Sequence, residues 1–362
     1  MKYYKLTALL LSFALLFPLA ACNSAADTPT GGPSEEVTGS VPPTQGPSDE
    51  PVITPDCAEP GEIRLAVLSG PTGVGAAKLL DNIDNSPASL SYGSYAYTIY
   101  TDNSELVAGL TTGEIDIATM ASNVAVNLYH KTDGGVKIIA AGTLGVLHIL
   151  EGSGGDTIHS VSDLRGKTIW SAGQGANPEY ILRHLLQESG LEVGTDVEIV
   201  FADAGEIQTK LLSGDIECAM LPVPAATAAI AKGEGKVRTA IDVTEAWDAL
   251  RSGSQLIMTA VVARAEYLET YPDLVDHFLT DYEESINYVN NNVDAAAELV
   301  ALYGITPSAA IAKLAIPQCH LAFISGSEMM SGLSGYFLTL YAIDPASVGG
   351  SVPDDGIYYV SR

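Results

Sequence analysis

Two stretches of this chain are weak copies of one another. Residues 102–126 read DNSELVAGLTTGEIDIATMASNVAV, and residues 203–227 read DAGEIQTKLLSGDIECAMLPVPAAT. Aligned without a gap, they match at Asp102/Asp203, Glu105/Glu206, Leu110/Leu211, Gly113/Gly214, Ile115/Ile216, Ala118/Ala219 and Ala125/Ala226. Leu106/Ile207, Thr112/Ser213, Glu114/Asp215 and Asp116/Glu217 are conservative pairs. Each copy reads as a polar start, a helix, a glycine turn, a buried strand and a loop that opens a new helix. Chance or the generic strand–helix pattern can produce part of this agreement. The simplest structural account is two similar α/β lobes, each contributing one copy.

The flanking pattern supports that account. Short apolar runs at 63–68, 95–101, 115–119, 136–141, 168–171, 197–202, 218–221 and 257–263 read as strands, with amphipathic stretches such as 177–188 and 204–212 between most of them. Strands alternating with helices imply parallel sheets covered on both faces. From about residue 265 onward the chain reads as mainly helical, including 272–290 and 327–340. Upstream of each copy stands a strand followed by a glycine-rich loop: Ser69-Gly70-Pro71-Thr72-Gly73-Val74-Gly75 and Ala172-Gly173-Gln174-Gly175-Ala176-Asn177-Pro178. Ligands of open α/β sheets bind outside the carboxyl ends of strands. Helix N-termini there offer unpaired N–H groups, and glycine permits close backbone approach. Two facing lobes thus present four loops, 69–75, 120–123, 172–178 and 222–225, to one cleft. The expected ligand contacts are Ser69, Thr72, Gly73, Met120, Ser122, Asn123, Gly173, Gln174, Asn177, Tyr180, Pro222 and Pro224. These loops carry no Lys or Arg, which points to a neutral or heterocyclic ligand more than a strongly anionic one, although helix dipoles alone can hold a small anion.

Charge narrows the partners. The formal net charge is −27, and it grows when Lys2 and Lys5 are removed with an N-terminal leader. Such acidity opposes nucleic-acid binding, which needs basic patches, and opposes attachment to anionic lipid through protein charge. Solubility outside the cell accounts for it.

The N-terminus has the layout of a secretory signal: Lys2 and Lys5, then an apolar run over 6–17, then Leu19-Ala20-Ala21-Cys22. The run is shorter than the roughly 20 apolar residues that span a bilayer. The cysteine in place of an ordinary cleavage site resembles the lipobox of bacterial lipoproteins. That resemblance implies cleavage before Cys22 (removing 1–21), a diacylglycerol on its thiol, and a lipid-anchored protein on the extracytoplasmic face of the cell membrane. Residues 22–60 are rich in Pro, Gly, Ser and Thr and have no Lys or Arg, a composition that buries too little apolar surface to fold and reads as a disordered tether. The remaining 300 or so residues suffice for two ordinary domains. Cys57, Cys218 and Cys319 are an odd, widely spaced remainder and no disulfide framework; whether any of them pair stays open.

Catalysis finds little support in these residues. Gly70-Pro71-Thr72-Gly73-Val74-Gly75 matches most of a phosphate-binding loop, but the required Lys and Ser/Thr are replaced by Ala76 and Ala77. There is no His-Glu-x-x-His, no Cys-x-x-Cys and no Gly-x-Ser-x-Gly, and the six histidines show no metal-ligand spacing. No catalytic residue, metal or cofactor is expected. Trp170 and Tyr180 flank the third loop, with Trp170 balanced between a ligand contact and a core residue.

Three stretches carry a wider resemblance: Gly113-Glu114-Ile115-Asp116-Ile117-Ala118, Ser162-Asp163-Leu164-Arg165-Gly166-Lys167-Thr168-Ile169, and the loop and helix over 173–186. Across about 61–345 the chain resembles the substrate-binding lipoproteins of ABC importers, in the group that binds sulfonate, nitrate, taurine and thiamine-precursor pyrimidines. The resemblance implies the bilobal type II periplasmic-binding-protein fold, two doubly wound α/β lobes joined by a two-strand hinge. Lobe 1 would comprise 61–147 plus 255–362, lobe 2 would comprise 148–254, and the crossovers would fall near 147–150 and 256–261. It further implies a monomer that closes on a small-molecule ligand and is read by an ABC permease. The ligand, the permease and the open or closed state are not legible. Two alternatives stay open: an enzyme on the same fold, like the pyrimidine-precursor synthases, which need a reactive His/Cys arrangement not seen here, and a ligand sensor.

Overall fold

The computed structural model describes residues 61–360, apart from 93 and 251–253. Cys22, the leader, the tether and Cys57 lie outside the described residues. Eleven strands alternate with helices among the described residues: β1 (Ile63–Leu68), β2 (Tyr95–Tyr100), β3 (Ile117–Ala121), β4 (Val136–Thr143), β5 (Leu147–Glu151), β6 (Thr168–Ser171), β7 (Glu198–Phe201), β8 (Cys218–Pro222), β9 (Arg238–Asp242), β10 (Thr259–Arg264) and β11 (Leu321–Ile324). They form two sheets, in the orders β11-β4-β10-β3-β1-β2 and β7-β6-β8-β5-β9.

The repeat explains the plan of both sheets. The first copy folds as helix Asn103–Thr112, β3 and helix Ser122–Lys131; the second folds as helix Ala204–Ser213, β8 and helix Ala225–Lys232. Both first helices stop at the matched glycine in the left-handed region, Gly113 at φ 82° and Gly214 at φ 83°. An L side chain is strained there, so glycine ends the helix without penalty. At the other end, the Asp102 carboxylate accepts from Ser104 N at 2.6 Å and caps the first helix. β3 then lies between parallel β1 and antiparallel β10, and β8 lies between parallel β6 and antiparallel β5.

Those antiparallel neighbours correct the expectation of parallel sheets. The chain leaves the first sheet after β4 and enters the second as β5; it leaves the second after β9 and returns as β10. A strand that arrives from the opposite sheet runs against the strands already there. Three strands escaped the sequence pattern: β5, expected only as a crossover near 147–150 from the family resemblance, β9, and the edge strand β11 in the segment expected to be mainly helical. β11 is four apolar residues, too short for periodicity to separate it from a buried helix turn. β3 also starts at Ile117 rather than at 115: Ile115 N still donates to Gly109 O of the preceding helix (3.1 Å), and Asp116 is held by two arginines.

Helix Pro272–Asn291 shows how remote sequence sets the turn after β1 and the approach to β2. Leu274, Val275, Phe278, Tyr282, Ile286 and Val289 form its buried stripe at three- and four-residue spacing. Two polar residues sit on the same stripe. Ser285 Oγ donates to Gly75 O (2.6 Å) and accepts from Leu79 N (2.9 Å), while Asp281 accepts from Ser91 N and the Tyr95 hydroxyl, both at 2.7 Å. The turn after β1 is thus pinned by a helix two hundred residues away in sequence. Cys218 and Cys319 are free and buried.

Candidate functional site

The carboxyl ends of strands from both sheets meet across a seam. Loop 69–75 follows β1: Ser69 N donates to Tyr100 O (2.8 Å) and Gly70 N to Ile305 O (3.2 Å). Pro71–Val74 is a single helical turn in which Thr72 and Gly73 are buried. A side chain at Gly73 would place its Cβ 2.5 Å from Leu68 O, so this glycine is needed for the turn to fold back over its own strand. Gly70 is the glycine with open space around it, required instead by φ 81°. The partial phosphate-loop pattern therefore has a packing explanation.

At the next strand end, Met120 is fully buried within β3 opposite Ala260. Ser122 N donates to Met258 O (3.0 Å) and Ser122 Oγ donates to Ile257 O (2.8 Å), which fixes the start of helix Ser122–Lys131 against the segment leading into β10. Asn123 is fully buried, and neither atom of its carboxamide has a hydrogen-bond partner.

From the second sheet, helix Asn177–Glu188 brings Asn177 into this seam. Its Nδ2 donates to Met258 O (2.9 Å) and lies 3.3 Å from Ser122 Oγ, while its Oδ1 is buried and unpartnered. Ahead of it, Gly173 takes φ 84° with the Pro178 ring against it, and Gly175 N donates to Glu179 Oε2 (2.8 Å). Gln174 is exposed. Tyr180 is buried, and burial, reinforced by Asp344, pushes its phenol pKa above the ordinary value. Asp344 follows helix Gly326–Ile343, so Tyr180 addresses that helix end. Gly332 and Gly335 of the same helix lie close to Ile257 and Ser254, letting it pack against the return passage into β10.

A cavity of about 410 Å³ opens where the two sheets face each other. Gly70, Pro71, Pro307, Ser308 and Ile311 wall it on the side of the first sheet. Ala204, Gly205, Pro222, Pro224, Ala225 and Ala228 wall it on the side of the second, with Gln208 and Lys232 as polar members. Gln208 braces two helices: its Nε2 donates to Ala225 O (3.1 Å), and its Oε1 accepts from Lys232 Nζ (3.3 Å). Of the twelve residues expected from the sequence, Pro222 and Pro224 line this cavity. Ser122, Asn123 and Asn177 gather at the seam, Met120 and Thr72 pack inside, and Gln174 and Gly173 face outward. Residues 204–208 and 307–311 were missed. The first set has a signal, since Ala204 and Gly205 open the helix of the second repeat copy; the second is brought in by helices with no such mark.

Three other groups have structural surroundings. Trp170 borders a separate surface groove beside Lys167 and Cys218, with Lys210 Nζ 5.2 Å from its ring centroid. His148, at the start of β5, is buried with Asp242 Oδ2 3.7 Å from Nδ1, and burial lowers its pKa despite that carboxylate. Burial pushes the thiols of Cys218 and Cys319 up to about 12. Among the described residues, no group of three or more His, Cys, Asp or Glu is placed to hold a metal ion.

Residues 96–296 match the family model described as NMT1/THI5 like. No curated protein matches the sequence. Solved structures resemble it strongly in three dimensions. An ABC transporter protein from Parabacteroides distasonis superposes with a TM-score of 0.70 at 23% identity, covering 83% of this chain and 100% of that one. The periplasmic aliphatic sulphonate binding protein SsuA from Escherichia coli gives 0.68 at 14% identity, covering 84% and 94%. A Candida albicans protein described as having the generic periplasmic binding protein fold gives 0.54 at 14% identity, covering 82% and 93%. At these identities the shared property is the fold: two α/β sheets of the periplasmic-binding-protein type, joined by two passages of chain.

Proposed function

Since this chain belongs to the NMT1/THI5-like family, we propose that it is an extracytoplasmic solute-binding lipoprotein that captures a small polar or heterocyclic ligand between its sheets and delivers it to an ABC permease. The observation that carries this reading is the 410 Å³ cavity walled by strand ends and helix starts of both sheets. A volume of that size suits a small molecule. In this reading lobe 1 is 61–147 plus 255–362 and lobe 2 is 148–254. The lobes hinge where the chain passes from β4 to β5 and from β9 to β10, and the monomer closes on its ligand. Cys22 would carry the lipid anchor, and the tether would hold the clamp beside its permease. The thiols favour binding over the synthase alternative: both described cysteines are buried and held as thiols, so neither is a ready nucleophile.

Mass spectrometry of the solute that co-purifies with the native protein identifies the ligand, and a rise in Tm on adding it back to stripped protein confirms capture. Stripped protein whose Tm no solute moves would remove the reading. Cys22→Ala should release folded, binding-competent protein into the medium; retention on the membrane would reject the anchor.

A further inference from the structure

We infer that His148 is a proton-operated part of the hinge: in acid its imidazole takes up a proton, draws against Asp242, and loosens the meeting of the two sheets. The inference rests on the hinged-clamp reading and adds a control to it.

The pair stands where both passages of chain meet the second sheet. His148 is the second residue of β5, which the chain enters from β4, and Asp242 is the last residue of β9, from which it returns toward β10. The two lie opposite one another in the β5–β9 register. His148 is 6% exposed, and neither ring nitrogen has a hydrogen-bond partner. Asp242 Oδ2 lies 3.7 Å from Nδ1, too far for a hydrogen bond. Asp242 Oδ1 is occupied as the cap of helix Val243–Ala249, accepting from Thr244 N (2.8 Å) and Glu245 N (3.1 Å). A neutral ring is tolerated in that setting, whereas an imidazolium needs its carboxylate at bonding distance.

Few other charges surround it. Of the elements packed on β5, β9 also carries Arg238, which binds Glu151 at the far end of both strands. Helix Val243–Ala249 carries Glu245 and Asp248, both exposed, and helix Ala225–Lys232 carries Lys232, which donates to Gln208. β8 sets Leu221 opposite His148, and its titratable member, Cys218, pairs with Glu151 at the other end of β5. Asp242 and, from the turn before β11, His320 are the charges that act on the ring.

Closing the gap to hydrogen-bond length moves one strand end by about 1 Å. The first passage has no slack to absorb that shift. A Cβ on Gly145 would stand 2.0 Å from Thr244 Oγ1 and 2.9 Å from Leu256 Cδ2, so residue 145 is pressed on the helix that Asp242 caps. From the first sheet, His320 Nδ1 donates to Gly145 O (2.6 Å), and His320 O accepts from Leu144 N (3.2 Å). Drawing His148 toward Asp242 therefore works against the hold of His320 on the same passage. Burial keeps the His148 pKa below the ordinary value of about 6.5; Asp242 offsets part of this and His320 adds to it. An arrangement that pairs or hydrates the ring binds the proton better. Above about pH 6.5 the proton favours neither arrangement; below it the second gains, by at most about tenfold in population per pH unit for one proton.

The test titrates stripped full-length protein carrying isotope-labelled histidine from about pH 8 to about pH 5. Ring-nitrogen chemical shifts read His148, small-angle scattering reads the separation of the lobes, and circular dichroism checks the fold. The radius of gyration should rise with a midpoint that coincides with the His148 titration. His148→Gln, which also assigns the signal by its loss, should leave the radius flat. Asp242→Asn keeps a helix cap and should move the midpoint to lower pH. His320→Asn, which suits the left-handed φ of 44° at that position, should move it to higher pH. These opposite shifts test the switch without relying on the His148 variant. A His148 that titrates with no change in radius, or a His148→Gln protein that expands like the wild type, overturns the inference. A radius that responds to removal of the co-purifying solute but ignores acid overturns it while leaving the clamp standing; a radius that responds to neither removes both.

Discussion

Asp116→Asn is the substitution whose consequence is best worked from the structure. Asp116 is 0% exposed and accepts from Arg64 N (3.1 Å), Arg64 Nε (2.8 Å), Arg64 Nη2 (2.6 Å) and Arg264 Nη2 (3.0 Å). Its backbone accepts from Arg264 N and donates to Arg64 O, both at 2.9 Å, so one residue joins the start of β1 to the end of β10. Asparagine keeps the shape and one acceptor. It turns the other oxygen into an NH₂ facing a guanidinium and leaves two cations without their carboxylate. Removing one partner of a buried ion pair costs ~3–5 kcal/mol. The arginine side chains keep 27% and 17% exposure, so water compensates them in part. The expected loss is therefore the lower end, ~3 kcal/mol, or a Tm drop of ~6 °C at about 2 °C per kcal/mol for a chain of this size. Urea unfolding followed by circular dichroism measures the first, and a thermal scan the second. Affinity for the co-purifying solute should not change, because Asp116 precedes β3 whereas the cavity lies beyond the carboxyl ends of the strands. A loss under ~1 kcal/mol, the level of an exposed ion pair, would refute the reasoning. So would lost binding with stability intact.

Three further outcomes follow from particular contacts. Gly205→Phe should keep the native Tm yet abolish solute binding, since Gly205 lines the cavity with open space where its Cβ would stand; retained affinity by calorimetry would show that the solute sits elsewhere. Asn177→Ala removes the seam bonds to Met258 and Ser122, and a net ~1 kcal/mol per buried hydrogen bond, ~2 kcal/mol for the two, corresponds to roughly a thirtyfold shift toward the open form of the proposed clamp; small-angle scattering should report a larger radius of gyration for unliganded protein. Burial pushes the Glu151 carboxyl up, but bonds from Thr157 and Ile158 and the Arg238 guanidinium outweigh it and leave its pKa below the ordinary value. A carboxyl whose folded pKa is lowered stabilises the protein above its unfolded value near about 4.3 and loses that contribution as pH falls through the folded one. Wild type should therefore lose stability more steeply with acid below about pH 4.3 than Glu151→Gln, by urea titration at fixed pH; equal slopes would contradict this.

The fold was legible where sequence writes local rules. Gly113 and Gly214 announce helix ends because only the left-handed backbone closes those turns, and β6 and helix Asn177–Glu188 fall at their expected residues. The direction of β5 and β10 was not legible, because antiparallel placement depends on which sheet the chain is arriving from. β11 was lost for the same non-local reason: Leu321–Ile324 is a strand because β4 offers it an edge, and not through any pattern of its own. Of the expected site, loop position alone marked Ser122 and Asn177, which the structure brings together at the seam, and Pro222 and Pro224, which line the cavity. Pro307, Ser308 and Ile311 carried no mark in the sequence, since elements late in the chain bring them to the cavity wall.

Two of the three stretches that carry the family likeness are, residue by residue, instructions for folding. In Gly113-Glu114-Ile115-Asp116-Ile117-Ala118, the glycine ends a helix, Ile115 packs on Gly109, Asp116 binds two arginines and the last two residues enter β3. In the second stretch, Asp163 caps its turn through Ser160, Leu164 is fully buried, Arg165 pairs with Asp196, and Gly166 at φ 78° donates to Asp196 O. In these two stretches the shared motif transmits a backbone, and none of its side chains lines the cavity between the sheets. The cavity wall is built instead by residues outside both stretches, among them Gly205, Pro222, Pro224, Pro307 and Ile311, so exchanging one of these side chains alters the cavity without touching the contacts that fold the motif.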